Sequence, residues 1–217
     1  MFDKPIENDT MNDTTKEEKS QSESGVRLIL ASRSPRRQQL LAELGIPFWC
    51  IPSEENAETA FDSLRGETPE AYVQRQAYAK AQNVAQRLSG QDIWILGCDT
   101  VAIYDDEILG KPLDRADARR MLRKLSGSVH AVISGLCLHN PAHPESLRQK
   151  TVTTQLEMEP LSDATLEAYL DSGKWAGKAG AFGFQDGNDW LKILSGSATN
   201  VVGLPMETLT AWLKTIF

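Results

Sequence analysis

Two consecutive arginines, Arg36 and Arg37, occupy a segment whose composition could bind a polyphosphate. They follow Ser34-Pro35, a pair typical of a helix start, with serine as the N-cap and proline at the first helical position. The first helical turn presents unpaired N–H groups and favours anions, so arginines there oppose the helix dipole. With Ser32 they would supply the forked donors and hydroxyls that phosphates need. Pairing with surface carboxylates is the alternative interpretation.

A second candidate is Asp99, a carboxylate inside the apolar run 93–104. A carboxylate in such surroundings needs a cation, a metal ion or a catalytic water as its partner. Thr100 follows it, and Lys111 stands on a Gly-Lys-Pro turn suited to meeting a phosphate. A satisfied structural aspartate at a strand end is the alternative. The sequence has no Walker-type glycine-lysine loop, which disfavours the P-loop class.

The third candidate is the glycine-rich segment from Lys178 to Gln185. Its small residues would let the backbone approach a ligand, Lys178 offers positive charge, and the Gln185 amide can read the edge of a base. Phe182 and Phe184 could flank a base or pack in the core.

Histidine and cysteine patterns predict neither a metal centre nor a nucleophile. His130 falls on a predicted strand, and His139 and His143 fall in a predicted polar loop. Three cysteines at no ligand-like spacing argue against a disulfide framework and a zinc site, which indicates a reducing, cytoplasmic setting. These are Cys50, Cys98 and Cys137.

The elements that must position these groups alternate between strand and helix, which predicts an α/β domain over 26–217. Predicted strands cover 26–31, 46–51, 93–104, 129–138 and 150–158. Predicted helices start at Pro35 and cover about 69–88, 115–125, 161–170 and 205–216. The strand over 93–104 is predicted to be interrupted at Gly97–Thr100, and that over 150–158 to be an edge strand.

Composition limits the class of protein. The 217 residues carry a net charge of −7, which disfavours a nucleic-acid binder. Residues 1–25 hold seven acids and three lysines, a net charge of −4, so the remainder carries −3. These first residues contain so few apolar side chains that we expect a disordered acidic tail. We expect no membrane association and no secretion leader, since no apolar run approaches the roughly 20 residues of a membrane span.

Five segments, in this order, resemble the Maf family of nucleoside triphosphate pyrophosphatases. They are LILASRSPRRQQLLAELGIPF, GCDTVAIYDDEILGKP, MLRKLSGSVHAV, SGKWAGKAGAFGFQ and NVVGLP. The resemblance extends from about Val26 to Phe217. It implies a mixed twisted sheet flanked by helices, with two lobes and a cleft between them, as in Maf and ITPase proteins.

The resemblance also implies an activity, the hydrolysis of dTTP and UTP to the monophosphate and diphosphate as a house-cleaning reaction. It implies a divalent cation, Mg²⁺ or Mn²⁺, a homodimer, and Asp99 as the proton acceptor. The positions tied to base preference are Arg36, Thr100 and Gln185. Those matching phosphate-binding residues are Ser32, Arg37, Lys80, Lys111 and Lys178. Asp186 stands where a glycine is frequent in the family.

Several alternatives remain open at this point. We expect Asp99 also to hold the metal, with Glu54, Glu55 or Glu58 as a second carboxylate. The substrate could be another nucleotide such as 7-methyl-GTP, although that branch usually carries tryptophan at the position of Arg36. A nucleotide-binding regulator of cell division or septum formation is a further class. A sugar-phosphate enzyme would use the same anion site but would leave Gln185 without a role.

Overall fold

A computed structural model describes residues 27–54, 57–61, 66–88 and 90–217. The predicted acidic tail and Glu55 lie outside these residues. The strands are β1 Leu28–Leu30, β2 Trp49–Cys50, β3 Trp94–Tyr104, β4 Glu107–Leu109, β5 Val129–His139, β6 Arg148–Met158 and β7 Leu191–Ser195. The helices are α1 Pro35–Ala42, α2 Pro69–Arg87, α3 Arg115–Leu125, α4 Asp163–Asp171, α5 Ala198–Val202 and α6 Met206–Leu213.

Helix starts follow the capping residues that the sequence indicates. The side chains of Ser34, Thr68 and Ser162 each accept a backbone N–H in the first turn of α1, α2 and α4. Proline occupies an early position in α1 and α2. These caps satisfy N–H groups that would otherwise lack a partner. α1 and α2 begin where they were predicted, and α4 begins at Asp163, two residues after the predicted start.

The strands form one mixed sheet in the order β2-β1-β3-β5-β6-β7, with β4 also paired to β3. β1 runs parallel to β2 and β3, and the other pairs are antiparallel. The mixed α/β prediction is therefore confirmed. The edge assignment for 150–158 is wrong, because β7 pairs with β6 from Gln155 to Met158.

β3 is continuous, so the predicted interruption at Gly97–Thr100 is also wrong. Gly97 to Thr100 all pair with β5. The glycine is needed for packing, not for a turn: a Cβ on Gly97 would lie 2.0 Å from the Ala77 carbonyl oxygen of α2. Gly135 on β5 is as tight, since its Cβ would lie 2.3 Å from the Val73 carbonyl oxygen. Both glycines let α2 lie directly against the sheet.

A gap on one edge of β3 creates the cleft. β5 occupies one edge of β3 from Ile95 to Ile103. On the other edge, β1 pairs with Trp94–Leu96 and β4 with Ala102–Tyr104. Neither of these two strands pairs with the residues between them, which include Asp99 and Thr100. The middle of β3 therefore faces an opening in the sheet.

Two lobes flank this gap, as the resemblance implies. The first lobe packs α1 and α6 on β1 and the start of β3, and the second packs α3 and α4 on β4 and the end of β6. On the opposite face of the sheet, α2 buries an alanine-rich stripe against Ile29 and Ile95. Among the helices of the described residues, none is long and apolar enough to cross a membrane.

Candidate active site

The cleft between the lobes has a volume of about 500 Å³ and brings together groups from both ends of the sequence. Arg36, Arg37 and Asp99 all line it, together with Thr100 and Gln185. Successive residues of a strand point to opposite faces, so Asp99 turns toward α2 and Thr100 toward α1. The gap in the sheet lets both faces contribute to one site. The remaining predicted phosphate-binding and carboxylate positions on its wall are Ser32, Glu54, Glu58, Lys80, Lys111 and Lys178.

Arg37 joins the first lobe to β3. Its Nε donates to the Gly203 carbonyl (2.8 Å), its Nη1 to Ser32 Oγ (3.2 Å) and its Nη2 to Thr100 Oγ1 (3.1 Å). Thr100 Oγ1 in turn lies 2.8 Å from Ser134 Oγ on β5. The planar guanidinium is thus fixed by three bonds, and it carries its charge at the wall of the cleft.

Arg36 bridges the two lobes at the mouth of the cleft. Its Nη2 donates to the Gly177 carbonyl at 2.8 Å. Partial burial and the neighbouring charge of Arg37 lower the pKa of Arg36, while Asp186 opposes that change. Two guanidiniums held this close repel each other, and an anion between them would relieve the repulsion.

Asp99 forms a buried ion pair with Lys80 of α2. The Lys80 Nζ lies 2.6 Å from Asp99 Oδ1 and 3.2 Å from Glu58 Oε1. The Lys80 and Asp99 side chains are only 7% and 14% exposed. The ammonium satisfies the carboxylate that the apolar strand would otherwise leave without a partner, and it holds that carboxylate at the cleft.

Lys111 stands on the loop between β4 and α3 and adds a further cation. Desolvation lowers the pKa of Lys111, and the positive charges of Lys80 and Arg37 lower it further. Glu58 and Asp99 act in the opposite direction. Counted over the residues that the structure describes, the lining of the cleft holds six arginine or lysine side chains against three glutamate or aspartate side chains, so the cleft is positively charged although the chain carries a net charge of −7.

Lys178, predicted to bind phosphate, already has a counter-ion. Its buried ammonium contacts both carboxylate oxygens of Asp186. Tyr169 of α4 donates its hydroxyl to Asp186 Oδ2 at 2.7 Å. Sequence reasoning missed Tyr169 as a partner, because no local pattern relates a helix to a loop 17 residues further on. The aspartate at a position where glycine is frequent was the one signal available.

The segment beyond Lys178 carries Gln185 to the cleft wall as an exposed side chain. Phe182 is buried, lies edge-on to His130 with ring centroids 5.3 Å apart, and also borders the cleft. Phe184 packs against the core of the second lobe. His139 ends β5 and is half buried, so its assignment to a polar loop is wrong.

Carboxylates near the cleft are few. Glu54 and Glu58 line it with Asp99, and the Glu54 backbone N–H is held by Asn83 Oδ1 at 3.0 Å. Within the described part of the chain, no group of three or more His, Cys, Asp or Glu side chains is arranged to hold a metal ion. A cation here would therefore depend on one or two carboxylates, with substrate oxygens and water completing its shell.

The fold and the cleft define an α/β protein that can hold a polyanion beside a fixed carboxylate. A family model described as Maf-like protein matches residues 27–216, and the chain belongs to the Maf family. The resemblance predicted from the five sequence segments is thereby confirmed.

Relatives of this chain share a name. A dTTP/UTP pyrophosphatase from Rhodopirellula baltica is 48% identical over 188 residues, which cover 86% of this chain and 81% of that protein. Another dTTP/UTP pyrophosphatase, from Ruminiclostridium cellulolyticum, is 42% identical, with 84% of this chain and 92% of that protein covered. In fold alone, a HAM1 protein from Coxiella burnetii is similar, with a TM-score of 0.50 and 17% identity, covering 87% of this chain and 98% of that one.

Proposed function

We propose that this protein is a nucleoside triphosphate pyrophosphatase that hydrolyses dTTP and UTP to the nucleoside monophosphate and inorganic diphosphate, that is, pyrophosphate. The observation that carries the proposal is that Asp99 and the arginines of α1 line one cleft of about 500 Å³. They are far apart in the sequence, since the hydrogen bond between Arg37 and Thr100 joins residues 63 positions apart. That volume falls in the usual range of small-molecule sites. The names of the relatives from Rhodopirellula baltica and Ruminiclostridium cellulolyticum support the substrate assignment.

Asp99 acts as the proton acceptor in this proposal. It takes a proton from the attacking water, whose oxygen joins a phosphorus atom of the α–β anhydride, and the bridging bond breaks to release the diphosphate. Lys80 holds the carboxylate in place through its 2.6 Å contact. A carboxylate held in one geometry loses little entropy when the water binds.

The cations stabilise the charge on the leaving diphosphate. Arg37 and Lys111 contribute fixed positive charge, and Ser32 and the N-terminus of α1 contribute hydroxyl and N–H donors. Arg36, Thr100 and Gln185 set the base preference. Arg36 does so from its position across the mouth of the cleft, where it contacts Gly177.

A divalent cation, Mg²⁺ or Mn²⁺, fits the chemistry of these donors. Hard cations prefer carboxylate and phosphate oxygens and are often held by only one or two protein carboxylates. Asp99, with Glu54 or Glu58, would hold it. When bound, it would supply Lewis-acid stabilisation of the phosphate charge. Glu55 was an equal candidate from the sequence and lies outside the described residues.

The setting of this reaction follows from its substrate. Free nucleotides are cytoplasmic, and the free thiols of Cys50, Cys98 and Cys137 fit a reducing compartment. Neither a nucleic acid nor a membrane takes part in the proposed reaction. A homodimer completes the proposal and is tested by sedimentation of the purified chain.

The deciding experiment is a panel of nucleoside triphosphates assayed with Mg²⁺ or Mn²⁺, in which pyrophosphate and orthophosphate are scored separately. We expect pyrophosphate release to be fastest with dTTP and UTP. Faster turnover of 7-methyl-GTP would move the protein to the other substrate branch. Tight UTP binding without pyrophosphate release would favour a regulator of cell division, and predominant orthophosphate release would refute the proposed reaction.

A further inference from the structure

A buried ion pair supports the segment that carries Gln185. The Lys178 and Asp186 side chains are 10% and 9% exposed, and the ammonium contacts both carboxylate oxygens. A lysine so engaged has little charge left to offer a phosphate, because its counter-ion already neutralises it at contact distance. The pair therefore needs a role other than the one predicted from the sequence.

Tyr169 ties this pair to the second lobe. Its hydroxyl donates to Asp186 Oδ2 at 2.7 Å and accepts the Gly183 backbone N–H at 3.1 Å. Burial and the neighbouring carboxylate raise the pKa of Tyr169, so it stays a phenol and keeps its donor. The Tyr169 ring packs edge-on to Trp190 with centroids 5.4 Å apart, which anchors the hydroxyl on a packed helix.

The backbone of the segment passes directly over the ion pair. A Cβ on Gly183 would lie 2.4 Å from Lys178 Nζ and 2.5 Å from Asp186 Oδ2. Gln185 is thus bracketed by two held residues, Gly183 before it and Asp186 after it. Its own side chain is exposed at the cleft wall, so its position depends on the backbone beneath it.

We infer that Lys178, Asp186 and Tyr169 form a clamp that positions Gln185 against the nucleobase and so sets base discrimination. The inference rests on the proposed function and deepens it by assigning three positioning residues. It also gives Lys178 a positioning role in place of the phosphate-binding role predicted from the sequence. Misplacing a substrate-contacting group by about 1 Å can cost on the order of 10²-fold in rate, so a loosened clamp should be visible in kinetics.

The test separates the base end of the substrate from its phosphate end. For Lys178→Met, Asp186→Asn and Tyr169→Phe, kcat/KM is measured with UTP and with CTP, which differ at the base edge. Inhibition by inorganic pyrophosphate reports the phosphate end. We expect each variant to lower the UTP-to-CTP ratio by about tenfold while leaving the pyrophosphate inhibition constant within about twofold of wild type.

Three comparison variants sharpen the test. Lys111→Met should weaken pyrophosphate inhibition and leave the UTP-to-CTP ratio unchanged, and Asp189→Asn, an exposed carboxylate on the same loop, should change neither. The double variant Lys178→Met/Asp186→Asn should lose no more of the ratio than the worse single variant, because both belong to one unit. Tyr169→Phe keeps the packed ring and carries the test if a charge variant fails to fold.

The clamp is overturned if Lys178→Met weakens pyrophosphate inhibition as much as Lys111→Met does. It is also overturned if folded clamp variants keep the wild-type UTP-to-CTP ratio. A wild-type chain that hydrolyses neither UTP nor dTTP overturns the proposed function and the clamp with it. An active wild type with unchanged ratios in the variants overturns the clamp alone.

Discussion

Replacing Asp99 with asparagine removes one negative charge and one proton acceptor while nearly preserving the shape of the side chain. Loss of a positioned general base typically lowers kcat by about 10²–10⁴-fold. That range corresponds to about 2.7–5.4 kcal/mol in the activation free energy. We expect Asp99→Asn to fall within it, since no other carboxylate lies on β3 at the cleft among the described residues.

The same substitution also affects stability, and the two effects must be separated. Lys80 would keep Glu58 at 3.2 Å as its partner, but that carboxylate is 49% exposed. Breaking a buried ion pair costs about 3–5 kcal/mol when no partner remains. With Glu58 still present, we expect the free energy of unfolding to fall by about 1–3 kcal/mol.

The assay measures kcat for pyrophosphate release from UTP with saturating Mg²⁺, together with urea denaturation of the same preparation. Asp189→Asn serves as the matched control, because it makes the same chemical change on an exposed loop. Turnover of folded Asp99→Asn within about threefold of wild type would refute Asp99 as the proton acceptor. The assignment would also be refuted if the loss of kcat were no larger than the fraction of unfolded Asp99→Asn protein accounts for.

Three further predictions concern pH, charge and packing. Burial lowers the pKa of His130 from 6.5 to about 4, so the unfolded chain binds this proton more tightly than the folded chain. The free energy of unfolding should therefore fall by about 2 kcal/mol as the pH is lowered from about 7 to about 5. Urea denaturation should show that His130→Phe lacks this loss and that exposed His143→Gln retains it. Because desolvation and the neighbouring cations lower the pKa of Lys111, binding of the pyrophosphate anion at alkaline pH should restore a proton to this lysine. Calorimetry in buffers of different ionisation enthalpy should therefore show less proton uptake for Lys111→Met than for the wild type. Gly97→Ala would place a Cβ 2.0 Å from the Ala77 carbonyl oxygen and should lower the free energy of unfolding by about 3 kcal/mol. An unchanged melting temperature in a thermal unfolding experiment would contradict this prediction.

Much of the fold could be predicted from the sequence because its strongest signals are local. A capping serine or threonine acts within one turn, so Ser34, Thr68 and Ser162 place three helix starts. The interpretation of Gly97 as a break in the strand was wrong because the need for this glycine is tertiary. It makes room for α2, a helix that the sequence predicts without indicating that it packs against this point of β3. β7 was missed for a similar reason, since its pairing with β6 depends on a partner more than 30 residues away.

The site was predictable in its members and less so in its contacts. The sequence indicated Arg36, Arg37 and Asp99 as site residues because a cation at a helix start, or a carboxylate in an apolar strand, contributes nothing to hydrophobic packing. Their meeting depends on the gap beside β3, which arises from the strand pairing. The partners of Lys178 were also hidden, because an ion pair gives no periodic pattern in the sequence.

The opening beside β3 brings together residues of the sheet and of a loop outside it. The carboxylate and its lysine are built into a central strand and the long helix against it, where glycines such as Gly97 leave no freedom to change. Gln185 sits on a loop outside the sheet. If the proposed roles of Asp99 and Gln185 hold, substitutions in this loop should change the nucleotide preference without disturbing the carboxylate and its lysine, which makes the loop the place to engineer new nucleotide preferences.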